Sequence, residues 1–223
     1  MNKLSIGLLL ISATGLAQAE DGFYMSLNAG MALPTFSKGT DSATEGQDLA
    51  VDYYALNDSN LGYVVGGALG YGINDLGRVE IEVSHQKNEQ LAYFFNSNLA
   101  PNDDFVLNEG DVSTESIAVM FNGYIDFKND SSFTPYVGIG LGYANLKLSG
   151  NRVDAGTWPE ASTNTFAYQG MAGVDWQMTD TLSIGAKYTY FGTLGLIYDQ
   201  GLDSEYNYTY STNNFSVVAK VSF

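Results

Sequence analysis

The chain has 223 residues, room for one domain or a small pair, and sets 25 acidic residues against 9 basic ones for a formal charge of −16. So acidic a surface repels nucleic-acid phosphates, which excludes a nucleic-acid partner. The absence of cysteine and the presence of one histidine, His85, remove disulfide scaffolds, thiol nucleophiles, cysteine-held metal clusters and any mechanism needing two imidazoles.

At the amino terminus Lys3 precedes a mostly apolar run from Leu4 to Leu16, and Ala17-Gln18-Ala19 places small residues around a spacer. That order predicts a secretory signal, residues 1–19, cleaved to leave residues 20–223 as one domain. The run is too short for a retained membrane helix, which needs about 20 apolar residues.

Downstream no segment holds a period of 3.6, whereas period two appears eight times. The first strand sets Phe23, Met25, Leu27, Ala29 and Met31 against Tyr24, Ser26, Asn28 and Gly30. The second sets Leu61, Tyr63, Val65, Leu69 and Tyr71 against Gly62, Val64, Gly66, Ala68 and Gly70. In the third, Val79, Ile81 and Val83 alternate with Arg78, Glu80, Glu82 and Ser84. The fourth opposes Ile117, Val119, Phe121, Ile125 and Phe127 to Ser116, Met120, Asn122, Tyr124 and Asp126. The fifth has Val137, Ile139, Leu141 and Tyr143 against Gly138, Gly140 and Gly142. The sixth has Phe166, Tyr168, Ala172, Val174 and Trp176 against Gln169, Met171, Gly173 and Asp175. The seventh alternates Leu182, Ile184, Ala186, Tyr188 and Tyr190 with Ser183, Gly185, Lys187 and Thr189. The eighth closes with Phe215, Val217, Ala219, Val221 and Phe223 against Ser216, Val218, Lys220 and Ser222.

Short polar turns at Asn74-Asp75, Lys128-Asn129-Asp130 and Thr179-Asp180 alternate with long connections over 34–60, 87–111, 150–164 and 192–212. Such alternation around an even number of antiparallel strands is the plan of an outer-membrane barrel. A secreted sandwich also alternates, but its non-apolar face meets water. Here that face is glycine-rich, which suits the narrow lumen of eight strands, with Met120, Tyr124, Met171 and Gln169 filling the room the glycines leave. The prediction is an all-β, eight-stranded antiparallel up-and-down transmembrane β-barrel. Its aromatic girdles fall at Tyr71, Phe127, Phe133, Trp176 and Phe223 on one side, and at Tyr143, Phe166, Tyr190 and Phe215 on the other.

The lumen face also carries Arg78, Lys187 and Lys220 with Glu80, Glu82, Asp126 and Asp175. Unpaired buried ions cost several kcal/mol, so a salt-bridged plug centred on Glu80, Glu82 and Lys187 is expected, as packing rather than as a gate.

Gly22-Phe23-Tyr24, the stretch Thr134-Pro135-Tyr136-Val137-Gly138-Ile139-Gly140 and the terminal Lys220-Val221-Ser222-Phe223 resemble the small outer-membrane barrel superfamily. That group includes the OmpA transmembrane domain, opacity-type adhesins and rickettsial surface antigens. Phe166-Ala167-Tyr168-Gln169-Gly170 is similar to the surface-antigen and porin-family branch. The resemblance implies a Gram-negative outer-membrane location. It also implies that Phe215, Val217, Ala219, Val221 and Phe223 form a signal read by the outer-membrane insertion machinery.

Barrel enzymes that modify lipid A pair a histidine with serine or an acid. His85 follows Ser84 directly, and adjacent strand residues point to opposite faces, so no enzyme is expected. His85, Lys87 and Lys147 are instead candidates for contact with lipopolysaccharide phosphates. The external loops carry acids such as Asp41, Glu45, Asp103, Asp104 and Asp203, without the spacing of a calcium loop, so neither metal nor cofactor is expected. Tyr53, Tyr54, Tyr198, Tyr206, Tyr208 and Tyr210 either meet a host or surface protein or pack the loops on one another. The functional expectation is a non-enzymatic surface protein of adhesion or envelope integrity. The alternatives are a small cation-leaning porin and, behind it, a lipid A-modifying enzyme.

Overall fold

The described residues form thirteen β-elements, eight of them on the period-two segments: β1 (Phe23–Pro34), β2 (Lys38–Ser42), β3 (Tyr53–Tyr54), β4 (Ser59–Ile73), β5 (Gly77–Phe94), β6 (Asn108–Asp126), β7 (Phe133–Arg152), β8 (Gly156–Thr157), β9 (Ala161–Gln177), β10 (Leu182–Thr193), β11 (Leu196–Asp199), β12 (Glu205–Tyr208) and β13 (Ser211–Ser222). The computed structural model describes residues 22–35, 38–42, 53–54, 59–73, 77–94, 108–152, 156–157, 161–194, 196–199 and 205–223. The expected signal segment, the Asn74-Asp75 turn and loop acids such as Glu45, Asp103, Asp104 and Asp203 lie outside the described residues.

Eight long strands pair antiparallel with both neighbours. β1 joins β4 and β13, β13 joins β10, β10 joins β9, β9 joins β7, β7 joins β6, β6 joins β5, and β5 returns to β4. A closed ring leaves no unpaired strand edge, the condition for crossing lipid with strands. Among the described residues no helix is long and apolar enough to cross a membrane.

The apolar stripe faces outward: Leu27, Leu141 and Ile139 are 67%, 71% and 76% exposed, whereas the inward Met120 is 1% exposed. A sandwich would bury these residues against one another. Aromatic pairs mark both rims of the band, Phe23 with Tyr71 and Phe133 with Trp176 at one, Tyr143 with Phe166 and Tyr188 with Phe215 at the other. From Phe133 to Tyr143, β7 climbs about 26 Å at about 3.4 Å per residue and a tilt of about 40°, matching the apolar band of such barrels.

The inward glycines are seats for large inward side chains. A Cβ at Gly70 would strike the Tyr24 ring, one at Gly138 the Tyr124 ring, one at Gly142 Met120, and one at Gly140 Asn122 and Gln169. Met171 stands opposite Gly138 in register.

The strands run further than alternation indicates. β5, β6 and β7 have 18, 19 and 20 residues, so the connection expected over 87–111 reduces to the stretch between Phe94 and Asn108. Beyond the apolar band both faces of a strand can be polar, and the period-two signal fades although pairing continues. Past the band β3 pairs β5, β2 pairs β3, β12 pairs β2, and β11 pairs β12 and lies against β9. With β5, β6, β7 and β9 these short elements extend the barrel wall as an upper tier.

Candidate functional site

Inward side chains fill the lumen level by level. Nearest the short-turn end, Arg78 Nη1 lies 2.6 Å from Asp126 Oδ1 and 3.3 Å from Asp175 Oδ2, and Lys220 Nζ lies 2.6 Å from Asp175 Oδ2. The guanidinium sits over the rings of Tyr124 and Tyr136 at 4.7 and 4.4 Å, adding cation–π attraction to the ion pairs. Glu80 accepts a hydrogen bond from Tyr24 Oη at 2.8 Å.

One level up, Glu82 is the hub. Its Oε1 accepts from Lys187 Nζ and Asn28 Nδ2, each at 2.9 Å. Its Oε2 accepts from Asn122 Nδ2 at 2.9 Å and Gln169 Nε2 at 3.2 Å. A carboxylate has about four lone-pair sites, and here all are used. The plug expected around Glu80, Glu82 and Lys187 therefore divides in two: Glu82 with Lys187, and Arg78 with Lys220 on Asp126 and Asp175. Glu80 belongs to a tyrosine instead, because successive inward positions of β5 stand one level apart.

Above lies an apolar layer of Ala118, Met120, Ala144, Leu146, Ala167, Phe191 and Tyr210. It is interleaved with neutral polar groups. Gln86 Oε1 accepts from Asn214 Nδ2 at 3.0 Å, and Asn88 Oδ1 accepts from Tyr210 Oη at 2.9 Å while its Nδ2 donates to the Ala32 carbonyl at 2.9 Å. Tyr210 is fully buried. The sequence reading put Asn28, Asn122 and Gln169 on inward faces without assigning them to Glu82, and it missed the Gln86–Asn88 level, for which shared parity with Glu82 along β5 was the available signal.

At the outer rim the register brings together His85, Lys87 and Lys147. Lys87 stands opposite Glu115, which stands opposite Lys147 on its other side. His85 Nε2 is 2.7 Å from Glu115 Oε1, and its ring lies 5.7 Å from that of Tyr63. Ser84 occupies the opposite face of β5, so the pair offers no nucleophile and base. Among the described residues no cluster of three or more His, Asp or Glu could hold a metal ion.

At the carboxyl end Phe215, Val217, Ala219 and Val221 lie on the outward face of β13, Phe223 just beyond it is exposed as well, and the Phe223 amide donates to the Phe23 carbonyl at 3.0 Å, fastening the seam. In the upper tier Tyr53 pairs with Phe94, Tyr54 with Tyr93, and Asp41 with Tyr206 by register.

A family model described as the outer membrane protein beta-barrel domain matches residues 4–223. Outer membrane protein PagN of Salmonella typhimurium is 29% identical over 191 residues, covering 82% of this chain and 79% of that protein. Among solved structures, Neisserial surface protein A aligns with a TM-score of 0.50 at 18% identity, covering 91% of this chain and 97% of its own. The outer membrane protease OmpT of Escherichia coli aligns with a TM-score of 0.52 at 10% identity, covering 94% and 99%. At such identities these two structures speak for the fold alone.

Proposed function

Since the chain belongs to the outer membrane protein beta-barrel domain family and resides in the bacterial outer membrane, we propose that it is a non-enzymatic surface protein whose work is done outside the barrel, in adhesion or surface interaction. On this reading residues 1–19 are a cleaved leader, residues 20–223 form the barrel, and the Phe215–Phe223 stripe is the feature the insertion machinery reads. The observation that carries it is the filled lumen: Glu82 and Lys187 are locked at mid-depth, and Tyr210 with Asn88 packs the outer end. Such a lumen supports display rather than transport. From the girdle at Tyr143, β7 continues to Arg152, about 23 Å further by the same rise and tilt, which lifts the upper tier clear of the apolar band.

Two measurements test this. Cells displaying the chain should bind host or neighbouring-cell surfaces, and replacing 95–107 and 43–52 with short turns should abolish binding while the barrel still inserts. Binding that survives both replacements contradicts the reading. Planar-bilayer recording of purified protein should give no reproducible unitary steps; stable steps would revive the small-porin alternative.

A further inference from the structure

The nine basic residues of the chain have distinct placements. Lys3 belongs to the expected leader, Arg78, Lys187 and Lys220 line the lumen, and Lys128 sits at a short turn. Arg152 ends β7 and Lys38 opens β2, both in the upper tier. Lys87 and Lys147 remain, the two cations among the described side chains on the outward wall at the outer edge of the apolar band, and they lie in one cross-strand row with Glu115 between them. The only histidine of the chain, His85, is one outward position below Lys87. Tyr63 pairs with Lys87 in the same row, and on β7 the girdle ring Tyr143, packed on Phe166, lies two outward positions below Lys147.

We propose that this row is a docking site for a phosphate group on the headgroup of an outer-leaflet glycolipid. Two strand spacings put Lys87 and Lys147 about 10 Å apart, and their flexible four-carbon stems let both ammonium groups close on one phosphate between them. The rings beneath set the depth, since girdle aromatics sit at headgroup level. Lys87 Nζ is 3.3 Å from Glu89 Oε1 with its side chain 37% exposed, an ion pair loose enough to exchange for phosphate. Glu115 holds His85 by the ring nitrogen and places a negative charge between the two lysines. It therefore tunes the row, weakening the hold on phosphate that the lysines provide. The site rests on the outer-membrane location alone and not on the adhesion reading.

The test uses the full-length barrel in nanodiscs of phosphatidylcholine doped with bis-phosphorylated lipid A, or with the same lipid A stripped of phosphate. Lipid retention after detergent exchange is measured by mass spectrometry, and insertion is verified by heat-modified gel mobility. Wild type should retain the phosphorylated form preferentially. Lys87→Gln with Lys147→Gln should lower that preference roughly tenfold, the equivalent of one charge-assisted contact, and each single variant should lower it less. Glu115→Gln should raise it, an outcome that a purely structural row does not produce. Equal retention of both lipids by wild type, an unchanged preference in the double variant, or a lowered one in Glu115→Gln overturns the proposal. So does full competition by inorganic phosphate in the buffer, which would make the ligand a free ion rather than a lipid. A loss of cell binding on loop replacement, with lipid preference intact, would leave this site standing independently of the adhesion reading.

Discussion

The two ends of the lumen are built from different chemistry. From Arg78 to Glu82 the barrel is filled by ions: Arg78, Lys187 and Lys220 each face a carboxylate, Glu82 gathers several donors, and Glu80 accepts from Tyr24. From Gln86 to Tyr210 it is filled by amides, hydroxyls and an apolar layer, with no ion pair among the described residues on the inward face. Both ends are packed, but the first depends on charge neutralisation and the second on shape. A buried ion that loses its partner retains its full desolvation penalty, whereas a neutral group loses one hydrogen bond, so the two ends should respond very differently to similar deletions.

The largest effect is expected at the hub. Glu82→Ala strands the Lys187 ammonium and three amide donors, and should cost about 3–5 kcal/mol in urea unfolding of the barrel in micelles. Adding Lys187→Met should recover most of that loss; a single variant as stable as wild type would remove the hub from the account. Next is packing at the ionic end: Gly138→Val pushes into the Tyr124 ring that Arg78 rests on, for a loss of about 1–3 kcal/mol read from the same unfolding midpoint. The smallest effect belongs to the neutral end. Tyr210→Phe removes one donor to Asn88 and should cost about 1 kcal/mol, with gel mobility unchanged. If Tyr210→Phe were to match Glu82→Ala, the contrast between the two ends would be void.

How much was legible beforehand follows from where the signal lay. The eight membrane strands, their inward and outward faces and both girdles were readable because lipid demands apolar groups on one face, as at Leu27, Leu141 and Ile139. That Met120, Tyr124 and Gln169 fill the room the glycines leave was readable from size alternation, whereas their seating on Gly142, Gly138 and Gly140 comes from cross-strand register. The division of the charges into two clusters was not, because Arg78, Glu80 and Glu82 follow one another on the same face of β5 and only cross-barrel distances assign their partners. Nor were the far ends of β5, β6 and β7, where neither face has to be apolar.

Sequence alone thus determined the inside-out character of this protein and which residues of the apolar band enter the lumen, since a two-residue period maps directly onto two faces. Tertiary structure decided which of those residues meet, because closing the ring brings β1, β5, β6, β9 and β10 to a single carboxylate at Glu82 from as far as 105 positions away along the chain. It also decided that Lys87, Glu115 and Lys147 form one row, which strand register fixes and residue spacing along the chain does not encode.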